Sequence, residues 1–395
     1  MDIKAALAAN GRDPRLDLFL GIANWFIFLD HMPRNSVNLI TLRNYGFSGA
    51  ADIFIFVSGF TAAVVFGTMM LERGFVVGAT RLFKRAWQLY IAYVILFVIY
   101  IVAIGDVATR YAAPDLIYEF NVSGLVDHPI RTLAHGLFLQ SKPLNLDLLQ
   151  LYIILMATFP PVLWLMLRKP DLTMAGSIVL YLAARQFEWS LPSFPDGNLY
   201  FNPFCWQLLF VFGAWVAVGA AEQYRRLLDA PLLLYLGAVY LCFAFVMTMA
   251  GRFPEFGSLF PGWLFDAFIP NDKANLAPYR VLHFIVLAFF VTRLLPKQWH
   301  GLQWPAFQPV MRCGQQSVAV FCLGVFLSFF GHFTLMLSSG SLLVQILVSV
   351  AGIAVMTLAA YYLSWSRRQD GQPEIRHRKA SDHRPSPGSA VPDSV

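Results

Sequence analysis

The residues best suited to chemistry sit where an apolar chain can least easily hold them. The stretch RLDLFLGIANWFIFLDH carries Asp17, Asn24, Asp30 and His31, and the next apolar stretch, ADIFIFVSGF, has Asp52 at its start. An ionisable side chain at the centre of a bilayer costs at least ~2.5–3.5 kcal/mol on insertion scales, so such residues are functional candidates. On a helix, positions seven apart fall within ~20° of one face. Asp17, Asn24 and His31 keep that spacing and form a polar stripe. Lipid satisfies no hydrogen bonds, so the stripe must face a protein interior or a wet cavity. Two roles stay open: the stripe lines a substrate path, or it joins helices by polar contacts worth ~0.6 kcal/mol each.

His31 is the natural general base, because an imidazole titrates near neutrality and can take a proton from an attacking hydroxyl. Asp52 lies at a similar depth in the next span, so it is the expected partner that orients or charge-stabilises the ring. Asp30 is the poorer partner, since adjacent helix residues point ~100° apart.

Other candidates are less isolated. The run RGFVVGATRLFKR holds Arg73, Arg81, Lys84 and Arg85, and guanidinium groups match phosphate oxygens bidentately. The same cluster equally serves as a topology anchor. Arg185, Arg280, His283 and the aromatic loop EWSLPSFPDGNLYFNPFCWQ fall at outer span ends. Trp189, Tyr200, Phe201 and Trp206 there can stack on sugar faces or form an interfacial aromatic belt. Gln207 is an amide just inside a span. Ser58 lacks an adjacent base and, with Gly59 and Gly67, reads as a small residue for close helix approach. Cys205, Cys242, Cys313 and Cys322 show no C-x-x-C spacing, so neither a disulfide framework nor a metal site is expected.

The elements that must position these groups follow from composition. Of 395 residues 57% are hydrophobic and 13% charged, far from the roughly 25% charged of soluble domains. The mean hydropathy is +0.58. The net charge of +6 is spread over loops and a tail without a nucleic-acid-binding motif, so no nucleic-acid partner is expected. A ruler of about 20 helical residues per bilayer gives ten spans, at 16–33, 49–71, 87–105, 148–167, 173–190, 204–222, 231–250, 280–296, 315–337 and 342–364. The expectation is an all-α polytopic membrane protein whose ten or so helices bundle around a central cavity. Segment 1–15 precedes the membrane domain of 16–365, and 366–395 is a polar, Pro/Ser-rich, basic tail expected to be disordered. No cleaved signal is expected, because the first span carries Asp17 and Asp30 and lacks a small-residue cleavage site. With the N-terminus inside, 20 of the 29 lysines and arginines face the cytoplasm, which places both termini there. The longer outside loops, 34–48, 106–147, 191–203 and 251–279, include the run IRTLAHGLFL, expected to be a short interfacial helix.

RLDLFLGIANWFIFLDHMPRN, RNYGFSGAADIFIFVSGF and LPSFPDGNLYFNPFCWQLLFVFGAW together resemble the OpgC-type family, inner-membrane proteins implicated in succinylating osmoregulated periplasmic glucans. That family is similar to the acyltransferase-3 superfamily, and the resemblance covers essentially all of 12–365. It implies an O-acyltransferase that moves an acyl group, expected to be succinyl, from cytoplasmic acyl-CoA to glucan hydroxyls, with no tightly bound cofactor and with glucan-synthesis proteins as further partners. His31 and Asp52 map to the family's catalytic positions, Arg43, Asn44 and Gly46 to its RNYGF connector, and Phe201, Asn202, Pro203, Trp206 and Gln207 to its later motif. Asp17, Asn24, Asn35, Arg280 and His283 join the expected substrate-binding set, with Asn24, Asn35 or Gln207 as oxyanion donors. Arg81, Lys84 and Arg85 are expected to meet the acyl-CoA phosphates. One departure stands out: the superfamily's arginine eleven residues before the histidine is Leu20 here, and Arg15 is no obvious substitute. A transporter or flippase, or an inactive scaffold of glucan synthesis, remain the alternatives.

Overall fold

Helix follows helix along nearly the whole described chain. The computed structural model describes residues 2–10, 13–110, 128–141, 145–297, 299–338 and 340–369. The helices used below are α1 (Ile3–Asn10), α2 (Pro14–Asp30), α3 (Ala50–Arg73, with a π-turn at Ala63–Gly67), α4 (Phe75–Arg110), α5 (Pro129–Leu137), α6 (Asp147–Met166), α7 (Pro170–Gln186), α8 (Pro203–Ala217), α9 (Pro231–Arg252), α10 (Pro278–Leu294), α11 (Gln308–Gln315), α12 (Ser317–Leu337) and α13 (Leu342–Gln369). Among the described residues there is no β-strand, only two isolated bridges. Proline opens α2, α5, α7, α8, α9 and α10, where its missing N–H is no loss and its fixed φ suits a first turn. Asp13 and Asn202 add side-chain caps to α2 and α8. The reversal from α3 to α4 runs through Gly74 at φ +87, a conformation that costs glycine nothing.

Each predicted span coincides with a helix, but the helices are not equivalent. Six are long and apolar enough to cross a bilayer: α3, Phe75–Asp106 of α4, α6, α9, α12 and α13. A seventh is reached only if α8 is counted with Ala220–Leu228, which leaves it at 83°. The other three, α2, α7 and α10, have 17 residues each, about 25 Å against a hydrocarbon core of ~30 Å. The expected IRTLAHGLFL helix is present as α5. The tail from residue 370 onward lies outside the described residues.

Two glycine crossings set the centre of the bundle. A Cβ on Gly59 would overlap the Phe210 carbonyl, and one on Gly213 would overlap the Phe56 carbonyl, so the backbones of α3 and α8 touch. Gly21 against Val310 and Gly314 against Asp17 do the same for α2 and α11. Gly67, by contrast, makes only ordinary contacts. Burial follows: the apolar windows of α3 and α6 are 61% buried, those of α9 and α13 only 17% and 22%. The first two are interior helices and the last two are the rim.

Candidate active site

Asp52 is not the partner of His31. It sits at the third position of α3, where its Oδ2 accepts the Gly49 amide at 2.8 Å. Its carboxylate is gripped by Arg280 at the start of α10: Nε donates to Oδ1 at 2.9 Å and Nη2 donates to Oδ2. The third guanidinium nitrogen, Nη1, donates to the Phe47 carbonyl at 2.6 Å. The side chains of Asp52 and Arg280 are 0% and 5% exposed. A carboxylate at a helix N-terminus already meets the positive end of the dipole, and the bidentate fork supplies the rest of its neutralisation. One turn along α10, His283 Nδ1 sits 2.7 Å from Ser48 Oγ, and Gly46 leaves room for its ring, which a Cβ would strike. The expected members Asp52, Arg280 and His283 are therefore brought together, as the clamp that ties the connector 46–49 to α10.

His31 caps the C-terminus of α2. Its amide donates to Ile27 O at 3.0 Å and its carbonyl accepts from Asn145 Nδ2 at 3.2 Å, so the main chain is fixed. The ring is not. The residue is partly exposed, and the buried Nδ1 of the ring has no hydrogen-bond partner among the described residues. The charges that act on it are those of Lys273 and Arg43. Arg43, 47% exposed, pairs with Asp30 at 3.1 Å, and Asp30 also accepts from Thr41 Oγ1 at 2.7 Å. Asp30, the less suitable partner by helix geometry, thus turns outward to the connector.

Lys273 is the functional candidate that sequence reasoning missed. It lies in the loop before α10, half-buried, with Nζ 5.1 Å from the Phe201 ring centre and 5.8 Å from that of Tyr200. Its carbonyl accepts from Trp206 Nε1 at 3.0 Å. The fully buried Trp206 and Asn202, whose amide donates to Ala274 O at 3.0 Å, hold this loop against α8. Desolvation, helped by Arg280, pushes the lysine down to about 8, against the pull of Asp52 and Asp30. Among the described residues no carboxylate lies within 4.0 Å of its ammonium.

The polar stripe of α2 serves packing. Asp17 accepts from Gln315 at 3.3 Å and Asn24 donates to Ser317 Oγ and O at 3.2 Å, which joins α2 to α11 and α12. The three expected oxyanion amides are engaged in the same way. Asn24 is bound as above, Asn35 donates to Ser349 Oγ at 3.0 Å, and Gln207 donates to Ser177 O at 2.9 Å while accepting from Ser177 Oγ. Each of these amide nitrogens donates to a helix residue, and none bonds to His31. Asn44 ties the connector to itself and accepts from Arg252 at 3.1 Å. Leu20 is a buried core residue, and Arg15 is occupied by Asp13 and the Leu295 carbonyl. At the far end of the bundle the basic cluster splits. Arg81 and Lys84 are exposed, whereas half-buried Arg85 acts on buried Tyr152 of α6 and Cys322 of α12.

Two open cavities flank the His31 end. One, of about 540 Å³, is lined by Arg185, Glu188, Asn198, Tyr200 and Asn275 among others. The other, of about 300 Å³, includes Arg43, Asn44, Arg252 and Asn271. No group of three or more potential metal ligands occurs among the described residues.

Residues 12–368 match the protein-family model described as OpgC protein. No curated protein and no solved structure matches the chain.

Proposed function

The chain belongs to the OpgC protein family, and from that premise we propose that it is a membrane O-acyltransferase of the bacterial inner membrane, moving a succinyl group from cytoplasmic succinyl-CoA to hydroxyls of a periplasmic glucan. The ten helices then all cross, the three 17-residue ones where the bundle thins the bilayer, and both termini are cytoplasmic. The observation that carries this reading is His31: a partly exposed residue whose imidazole Nδ1 has no partner among the described residues, on a fixed main chain, at the helix end where Asp52, Arg280 and Lys273 also gather.

In this mechanism the neutral His31 ring takes the proton of a glucan hydroxyl as that oxygen attacks the thioester carbonyl. The tetrahedral intermediate collapses, the carbon–sulfur bond breaks, and the imidazolium returns the proton to the thiolate, giving the glucan ester and free CoA. Asp52 acts at one remove, as the residue that positions Arg280 and the connector. The half-buried Arg85, facing the interior at the cytoplasmic end, is the donor's guide, while exposed Arg81 and Lys84 meet its phosphates. The larger outer cavity, with its Tyr200 ring and mixed amides and charges, suits a sugar. Replacing His31 by Ala or Gln should abolish ester substitution of periplasmic glucans, read by mass spectrometry, while the protein still inserts. Undiminished substitution would sink the mechanism.

A further inference from the structure

Around His31 the cations differ in how closely a carboxylate meets them. Arg43 is paired with Asp30, and Arg280 with Asp52. Lys273 is half-buried and set against two aromatic rings, with no carboxylate among the described residues within 4.0 Å of its ammonium. Its main chain is fixed on both sides: the amide donates to Asn271 O at 2.9 Å and the carbonyl accepts from Trp206 and from Leu276. A half-buried charge that no carboxylate contacts is costly unless a partner completes it. Aromatic faces ease that cost without cancelling the charge.

Resting on the acyltransfer reading, we infer that Lys273 is the specificity residue that receives the free carboxylate of a dicarboxylic acyl group, so that the protein selects an acidic acyl donor over a neutral one of the same length. Geometry decides between the anions a donor carries. The CoA phosphates belong at the cytoplasmic end, where Arg81, Lys84 and Arg85 lie. With the thioester carbonyl at His31, the only part of the donor that projects further outward is the acyl chain. A chain of succinyl length carries its carboxylate only a few ångströms beyond that carbonyl, and Lys273 is the cation there without a carboxylate of its own.

The test compares two four-carbon donors, succinyl-CoA and butyryl-CoA, with the purified full-length protein and a neutral glucan acceptor. The wild type should prefer succinyl-CoA. Lys273→Met should lower kcat/KM for succinyl-CoA roughly ten- to hundredfold, the size of a charge-assisted hydrogen bond, chiefly through KM, and leave butyryl-CoA nearly unchanged. Lys273→Arg should keep the preference. The ratio of the two rates should also fall as pH rises through about 8, where Lys273 loses its proton. An equal fall for both donors in Lys273→Met, or no fall, overturns the inference. If that variant does not fold, the wild type decides alone, because equal use of both donors overturns it as well. A wild type that transfers neither donor instead overturns the acyltransfer reading itself.

Discussion

At the scale of single residues, Asp52 and Arg280 neutralise each other in a place that water does not reach, and each depends on the other for its charge balance. Asp52→Asn leaves the buried Arg280 charge without its counter-charge, a class of change that costs roughly 3–5 kcal/mol, so the thermal midpoint of the purified protein should drop clearly. Adding Arg280→Gln removes the orphaned charge and should recover part of that stability without restoring transfer. A double variant no more stable than the single one would show that the pair is not the anchor. Asp52 was visible in the chain as a buried acid, but its pairing was not. A histidine and an aspartate at matching depths in neighbouring spans invite a dyad. What the spacing cannot show is that Arg280, 228 positions later, reaches the same carboxylate with a two-toothed fork that outcompetes an imidazole. Lys273 left even less trace, since a lone lysine in an irregular loop has no periodicity and only the folded loop places it beside His31.

At the scale of elements, helix identity was legible because apolar runs of the right length are bounded by proline and glycine, and each span found its helix. The polar stripe of α2 was legible as a stripe but not in its purpose. Periodicity says that Asp17 and Asn24 share a face, and only the packing says that the face meets Gln315 and Ser317. Gly59 was likewise readable as a small residue, whereas its counterpart Gly213, in FVFGAW, gave no separate signal. The crossing of α3 and α8 is where the fold tolerates least. In Gly213→Leu the new side chain meets the Phe56 carbonyl, which is backbone and cannot swing aside. Overpacking of this kind costs about 1–3 kcal/mol or more, and because α3 carries Asp52 and α8 carries Trp206, the clamp and the Lys273 loop shift with it. The expected result is a less stable protein with greatly reduced transfer, measured by thermal unfolding and glucan substitution. Enlarging a side chain on the rim, as in Val239→Leu at an exposed position of α9, should do neither.

At the scale of the whole molecule, the number of crossings decides which residues can share a compartment. The ends of α2, α7 and α9 and the starts of α3, α6, α8 and α10 gather at one end of the bundle, joined by contacts such as Asn145 to His31, Arg185 to Asp272 and Arg252 to Asn44. That arrangement favours ten crossings, with the short α2, α7 and α10 among them. Impermeant thiol labelling separates the alternatives, in a chain whose four native cysteines are replaced by serine. If α7 crosses, Glu188→Cys lies opposite Glu72→Cys, and Arg226→Cys lies on the same side as Glu72→Cys. If only the seven longer or bent spans cross, Glu188→Cys and Glu72→Cys share a side and Arg226→Cys is opposite. Labelling of Glu188→Cys in cells with a permeable outer membrane, with Glu72→Cys and Arg226→Cys reacting only after lysis, is the expected pattern. On the proposed function it puts the Tyr200 cavity and His31 on the side of the glucan and Arg85 on that of acyl-CoA, the separation that transfer across the membrane requires.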